Sequence, residues 1–462
     1  MRINKRDFVI RIVKLIHLAL IIASYAVCWY AYYADNLLHP YYRKGNWVII
    51  AIFAVVYVFL TRIYEAYMIS LNRIPETILS LTLSFLIADG FMFIITWLVN
   101  KLFPNVLPLL ITALIQTVIT LIWSFASTTW FFKTHKPTDC VIVYDEFKDF
   151  EQLIYDYGYD KKFNVKNIIT VDECLSDLDL LNEAEAVFLS DIHSHERNFI
   201  LKRCIMNNKT VYVIPRLGDV IMSGAKSMHI FHMPLLRVSG YTPGIEYMIV
   251  KRTLDVIFSL LGLIISSPLM LIIALAIKLN DKGEVFYKQV RLTKDGKRFE
   301  LIKFRSMIVD AEDDGVARLS LGENDDRITK VGRVIRKLRL DELPQLVNVL
   351  RGEMTFIGPR PERPEIAEMY EKVIPEFSLR LQAKAGLTGY AQVYGKYNTT
   401  PYNKLQMDLQ YIANPSIFED LRIFLATVKI LFMPESTDGI NEGITALENE
   451  EVQNNRETDI IF

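Results

Sequence analysis

Cysteine is scarce in this chain of 462 residues. Cys28, Cys140, Cys174 and Cys204 stand far apart, with no CxxC pair and no spacing that suits a metal. A disulfide framework and a zinc finger are excluded, and the four read as reduced thiols in membrane or cytosolic surroundings. An excess of one charge is also lacking. With 52 Lys and Arg against 53 Asp and Glu the net charge is -1, which makes no general case for nucleic acid as a partner. Glycine-rich phosphate loops are missing too. The first β-rich run after the apolar region, CVIVY, leads into DEFKDFEQ, without the glycines that let a backbone approach a pyrophosphate. A nucleotide cofactor is not expected there, and no YxxxK-type base accompanies it, so a sugar-nucleotide dehydratase or epimerase joined to membrane helices is a poor fit.

Apolar residues, by contrast, are abundant. They make up 51% of the chain, too much for an ordinary soluble protein. Four apolar stretches of bilayer-spanning length precede residue 133, near Ile10 to Ala34, Val48 to Tyr67, Leu79 to Asn100 and Val106 to Phe132. Basic residues gather before the first (Arg2, Lys5, Arg6), after the second (Arg62, Arg73) and after the fourth (Lys133, Lys136), which places both ends of the segment in the cytoplasm; Arg43 and Lys44 run against the trend. The first run is longer than a signal peptide's and lacks its cleavage site. Asp89 falls inside the third span, where a carboxylate is read as an interhelix packing or hydrogen-bonding group, with a functional site as the rival.

From Pro137 to about Leu236, short β-rich runs (CVIVY, NVKNIITV, AEAVFLS, TVYVIP) alternate with helical patterns, which predicts a small doubly wound parallel sheet. His193, His195 and Glu196 (HSHE) read as a loop before a helix rather than as metal ligands. With no chemistry assigned to it, this domain is expected to mediate a homodimer. The tail from Glu435 is acidic and polar, and is read as a flexible appendage.

Residues 251–282 carry another apolar run of spanning length, interrupted by Ser266, Ser267 and Pro268. Proline removes a backbone donor, so a kink or break is expected. Both flanks are basic (Lys251 and Arg252, Lys278 and Lys282), which pulls both ends to one side of the membrane. The reading is a re-entrant helix pair over 254–279 that dips into one leaflet. The amphipathic segment Ile417 to Phe432 reads equally as an interfacial helix or a core helix.

Chemistry concentrates between these lipid-facing runs, in LIKFRSM, KLRLDELPQLVNVLRGEMTFIGPRPE and KAGLTGYAQVYG. Lys303, Arg305, Arg336, Arg339 and Arg360 supply cations; Asp341 and Glu342 are adjacent carboxylates. Arginine forks suit phosphate oxygens, and a carboxylate pair beside them can hold Mg²⁺ and attack phosphorus. Two readings stay open on these residues: a phosphate-transfer site at a membrane surface, or Asp341 as a helix cap amid surface ion pairs.

The order of KRxxD, an apolar helix broken at SP, KFRSM, LDELPQLxNVLxGxMxxIGPRP and KxGLTGxAQV closely resembles the bacterial polyprenyl-phosphate sugar-1-phosphate transferases, over about Lys251 to Phe432. The resemblance implies a membrane protein with four transmembrane helices (1–135), a Rossmann-like α/β domain without a cofactor motif (136–240), a mainly α transferase domain (245–434) and the tail (435–462). It implies transfer of a hexose 1-phosphate from a UDP-hexose, glucose or galactose, to undecaprenyl phosphate, with UMP released. The setting would be the bacterial cytoplasmic membrane, with the catalytic domain facing the cytoplasm. Asp341 corresponds to the nucleophile of a ping-pong mechanism and Glu342 to its acidic partner, with Mg²⁺ held between them. Lys303, Arg336 and Arg360, and more distantly Arg305, correspond to phosphate-binding positions, and Ser267 and Pro268 to the helix break. Gly386, Gly389 and Gln392 would line the sugar or uridine pocket. A scaffold that recruits later glycosyltransferases is the alternative, opposed by the matched charges of these motifs.

Overall fold

The computed structural model describes residues 5–41, 44–145, 150–281, 283–308, 327–395 and 399–433. The tail from Glu435, Arg2, Arg43 and Lys282 lie outside them. Contacts divide the chain into two compact units, Met1–Ile214 and Pro215–Phe462.

The first unit begins with four helices, α1 (Lys5–Cys28, extended by a π-helical turn at Trp29–Tyr33), α2 (Lys44–Ile63), α3 (Ile74–Asn100) and α4 (Leu107–Thr134). Each is long and apolar enough to cross a membrane. Their polarity is inverted relative to a soluble helix. Along α4 the buried face is Thr112, Gln116, Thr120, Ser124 and Ser127, whereas Leu110, Leu114, Val118, Ile122 and Phe125 are exposed. Small and hydroxylated residues inside with aliphatic ones outside is the arrangement lipid favours. Helix α1 packs against α2 and α4, and α3 against the same two. His17 of α1 bridges Tyr67 Oη (2.9 Å) and Thr120 Oγ1 of α4 (3.3 Å). Asp89 is buried in α3 beside Gln116 of α4.

The unit continues through β1 (Thr138–Tyr144), α5 (Phe150–Asp156), β2 (Phe163–Thr170), α6 (Val171–Ser176), β3 (Ala186–Ser190), α7 (Ser194–Met206) and β4 (Thr210–Val213). The strands form one parallel sheet in the order β2-β1-β3-β4. Successive residues of β1 point to opposite faces: Val141 and Val143 join Ile200 and Cys204 of α7, and Cys140 and Ile142 join Ile154 of α5. Burial on both faces explains the unbroken apolar runs. His193, His195 and Glu196 fall at the start of α7.

The second unit contains α8 (Leu217–Ser223), a hairpin of β5 (Lys226–Ile230) and β6 (Met233–Arg237), the long α9 (Ile245–Asp281), a second hairpin of β7 (Phe286–Leu292) and β8 (Arg298–Phe304), α10 (Lys330–Lys337), α11 (Gln345–Arg351), β9 (Thr355–Ile357), α12 (Pro364–Val373), β10 (Gly386–Thr388), α13 (Tyr390–Tyr394), α14 (Pro401–Ala413) and α15 (Ile417–Leu431). Strands β9 and β10 pair in parallel. The main core gathers Tyr370, Phe377, Leu405, Leu409, Ile412 and Ile423, joined by Val220 of α8. The contact boundary at Ile214 therefore precedes the one read from sequence near residue 240, because α8 packs on α14.

Helix α9 differs from its expected form: it is a single helix with Pro268 inside it, not a pair. Proline withholds the amide that would reach the carbonyl four residues back, that of Ile264. Ser267 Oγ donates to that carbonyl at 2.8 Å, and Ser266 Oγ donates to Gly262 O at 2.6 Å. Ser267 therefore replaces the lost donor, and the helix runs on through Pro268. One face of α9 buries Asp255, Ser259, Ile273 and Ile277, while Leu260, Leu261, Ile264, Ile265, Ile272 and Leu279 are exposed.

Candidate active site

The segment Leu340-Asp341-Glu342-Leu343 explains how two carboxylates come to lie against a membrane-type helix. Leu340 and Leu343 pack into an apolar cluster with Ile273 and Ile277 of α9, Phe304 of β8 and Ile335 of α10. The two acids between them are left to face the polar side. They form a tight 3₁₀ turn, Leu340–Glu342, entered through Arg339 in the left-handed region (φ 52°). The helix that follows, α11, has Pro344 at its N-cap and no side-chain cap. The helix-cap reading of Asp341 is thus not what the fold uses.

The two acids are not equivalent. Lys303 Nζ, from the end of β8, donates to Glu342 Oε1 at 3.3 Å, and Arg360 Nη2 lies 3.7 Å from the same oxygen. Burial opposes the Glu342 charge, but Lys303, Arg360 and Arg339 outweigh it and bring the carboxyl down to about 2. Asp341 goes the other way. Burial, then the neighbouring Glu342 charge, raises its carboxyl above the ordinary range, with Lys303 and Arg336 opposing. Among the described residues no cation is ion-paired to Asp341. Lys303 is itself lowered by burial, with Glu342 opposing. Glu342 is a fixed anion, and Asp341 the more basic and less committed carboxylate.

The sign of the Glu342 shift makes a stability prediction. Its folded value lies below the ordinary 4.5, so its contribution is fully present above pH 4.5 and is lost as pH falls toward 2. Thermal unfolding followed from pH 6 to pH 2 is expected to show a decline that Glu342→Gln flattens. A Gln variant with the same slope as the wild type would place the acid-sensitive group elsewhere.

Of the residues singled out from sequence, the fold brings together Asp341, Glu342, Lys303, Arg336 and Arg360, with Arg339 contributing to the field at Glu342. Arg305 lies over Gly283, where a side chain at that glycine would meet its guanidinium. Gly386 and Gly389 have a packing role. A Cβ at either would overlap the backbone of Gly358, and Gln392 Nε2 donates to Leu387 O at 3.0 Å. These contacts seat the β9–β10 pair beside the Gly358 to Glu362 loop that carries Arg360.

The functions of several motif residues were not legible. In KRxxD, Arg252 donates to the carbonyls of Val349 and Leu350 at the end of α11 (2.8 Å each). Asp255 accepts from Thr355 Oγ1 (2.8 Å) and Phe356 N (3.0 Å), and Lys251 pairs with Asp420 of α15 at 2.8 Å. Together they clasp α9 to the rest of the unit. Asn348 of α11 accepts from Ile302 N (3.1 Å) and donates to Glu300 O (2.7 Å), fixing α11 on β8 and so Glu342 near Lys303. The available signal was an asparagine set among apolar helix positions, since a buried amide needs partners.

Cations converging on a carboxylate pair, mounted on a helix with an exposed apolar face, define a membrane protein with a site suited to phosphate groups. The pattern of the bacterial sugar transferases matches residues 246–434. A UDP-glucose:undecaprenyl-phosphate glucose-1-phosphate transferase of Caulobacter vibrioides is 39% identical over 206 residues, 44% of this chain and 76% of that protein. The chain belongs to the bacterial sugar transferase family. Other relatives are a UDP-glucose:undecaprenyl-phosphate glucose-1-phosphate transferase of Klebsiella pneumoniae (36% identical, 54% of this chain, 56% of that protein) and a UDP-N-acetylgalactosamine-undecaprenyl-phosphate N-acetylgalactosaminephosphotransferase of Aeromonas hydrophila (35%, 50% and 54%). The chain spans about half the length of these last two.

Proposed function

We propose that this protein transfers a hexose 1-phosphate from a UDP-hexose to undecaprenyl phosphate, releasing UMP, as the first step of surface-polysaccharide assembly. The observation that carries this reading is the asymmetry of the dyad, with Glu342 pinned by Lys303 and Arg360 and Asp341 raised and uncommitted. An Asp341 carboxylate oxygen bonds to the β-phosphorus, the bond from that phosphorus to the bridging oxygen breaks, and UMP leaves with the electron pair. A phosphate oxygen of undecaprenyl phosphate then bonds to the same phosphorus, and the acyl-phosphate bond breaks to return the Asp341 carboxylate. Lys303, Arg336 and Arg360 offset the negative charge that would repel this attack. The names of the relatives support the reaction class but differ in sugar; glucose or galactose is our choice of donor.

Mg²⁺ fits the dyad. Two carboxylates stand in one turn, a donor set that suits an ion keeping waters and phosphate oxygens as its other ligands. Held by Asp341 and Glu342, it would supply charge neutralisation to the donor diphosphate. For the membrane, we read α1 to α4 as a multi-pass anchor in the cytoplasmic membrane, with the catalytic unit facing the cytoplasm. We read α9 as a helix that enters one leaflet without crossing. Its N-terminal Asp255 and C-terminal Ile277 both pack on the same unit, which a crossing would pull apart.

Purified protein incubated with Mg²⁺ and UDP-glucose, UDP-galactose or UDP-N-acetylgalactosamine labelled in the β-phosphate, without lipid, tests the reading. Label on the protein with equimolar UMP is expected for one donor, chased off by undecaprenyl phosphate and prevented by EDTA. Turnover only when lipid is present would mean direct transfer, with Asp341 as a base or metal ligand.

A further inference from the structure

Arg360 stands between Pro359 and Pro361, and neither proline can donate a backbone hydrogen bond. The loop must therefore be held by its carbonyls, and four consecutive ones are taken. Pro359 O accepts from Gly386 N (2.8 Å) and Glu362 O from Leu292 N (3.0 Å). The two between them are taken by side chains: Arg360 O accepts from Arg380 Nη2 at 2.9 Å and Pro361 O from Arg291 Nη1 at 3.1 Å.

These two arginines are costly to place. The Arg380 side chain is 4% exposed and that of Arg291 17%, and burying a guanidinium requires compensating charge. Asp408 of α14, 1% exposed, stands 2.6 Å from Arg380 Nη2. Glu362 lies between the two, 3.5 Å from Arg380 and 3.8 Å from Arg291. Each buried guanidinium thus has at least one carboxylate against it. The network fixes the loop yet leaves the Arg360 guanidinium, 46% exposed, as the cation turned toward Glu342.

We propose that Arg380, anchored by Asp408, is a positioning residue of the transfer reaction: its grip on the Arg360 carbonyl aims the Arg360 guanidinium at the substrate phosphates. This rests on the transferase reading above. An orientation error of about 1 Å can cost roughly 100-fold in rate, so a lysine, which keeps the charge but loses the planar fork, is expected to be damaging.

The test is a double-mutant cycle on the full-length protein, with UMP release and thermal unfolding both measured. Arg380→Lys is expected to lower kcat by roughly 10- to 100-fold, with KM for the donor changed less than about threefold. In an Arg360→Ala background the same change is expected to cost less than about threefold, because nothing remains to be aimed. Asp408→Asn is expected to reproduce the pattern if Arg380→Lys proves unstable. Equal fold-losses in both backgrounds, or losses that track the melting temperature, would overturn the proposal in favour of a structural role. So would a wild-type rate in Arg380→Lys. A wild type that releases no UMP from any UDP-sugar would instead overturn the transferase reading itself.

Discussion

Asp341→Asn is expected to lower UMP release by at least about 1000-fold, and to abolish labelling of the protein by a β-phosphate-labelled donor. Asparagine matches aspartate in size but offers no anionic oxygen to phosphorus. The fold should tolerate the change, because among the described residues Asp341 makes no ion pair, and its neighbours Leu340 and Leu343 hold the turn through the α9 cluster. Burial and the Glu342 charge disfavour ionised Asp341, so the neutral amide should leave the melting temperature equal or slightly higher. Rate and stability thus move independently, which separates a nucleophile from a structural acid. Glu342→Gln should differ, with a partial loss of rate and a loss of stability, since it strands Lys303 and Arg360. Substantial turnover by a well-folded Asp341→Asn protein would rule out the covalent route.

The second large effect is expected at Gly386, far from any reacting atom in the sequence. The three atoms a methyl group there meets most closely are all backbone, the N and O of Gly358 and the carbonyl oxygen of Thr388, none of which can rotate away. Gly386→Ala must separate β10 from Gly358, weakening the bonds from Gly358 N to Thr388 O (2.9 Å) and from Gly386 N to Pro359 O (2.8 Å). Overpacking of this kind costs about 1 to 3 kcal/mol. Because Pro359 leads into Arg360, the rate should fall further than stability, by roughly 100-fold. Thermal unfolding and UMP release measured together check this. A stable, fully active Gly386→Ala protein would show that the loop does not depend on this close approach, and would return Gly386 to the pocket-lining role implied by the family motif.

Much was legible from the sequence for identifiable reasons. Spans of apolar residues report themselves because a bilayer demands length and composition, and the four N-terminal helices emerged close to their expected limits. The parallel sheet announced itself through apolar runs separated by helical patterns, since both of its faces are covered. Helix α9 runs through Ser267 and Pro268, where a proline rule counts the lost amide but not the serine hydroxyl that bonds the carbonyl it leaves.

Within the site, residue type alone left a phosphate-transfer site and a capped helix amid surface ion pairs both open. The resemblance to the family motifs is what singled out Asp341, Glu342, Lys303, Arg336 and Arg360. What the linear order could not assign was which acid is pinned and which is free, because that depends on Lys303 and Arg360 reaching Glu342 across 39 and 18 residues of chain, respectively. The contacts of Arg252 and Asp255, although both lie in a recognised motif, and those of Asn348 and Arg380 could not be read until their partners, all distant in sequence, were in place. The apolar helices and the order of the segments follow from local composition, and the family motifs point to the reacting groups. The division of labour within the dyad and the aim of Arg360 were decided only by tertiary structure, since hydrogen bonds and ion pairs act over a few ångströms in space, whatever the separation along the chain.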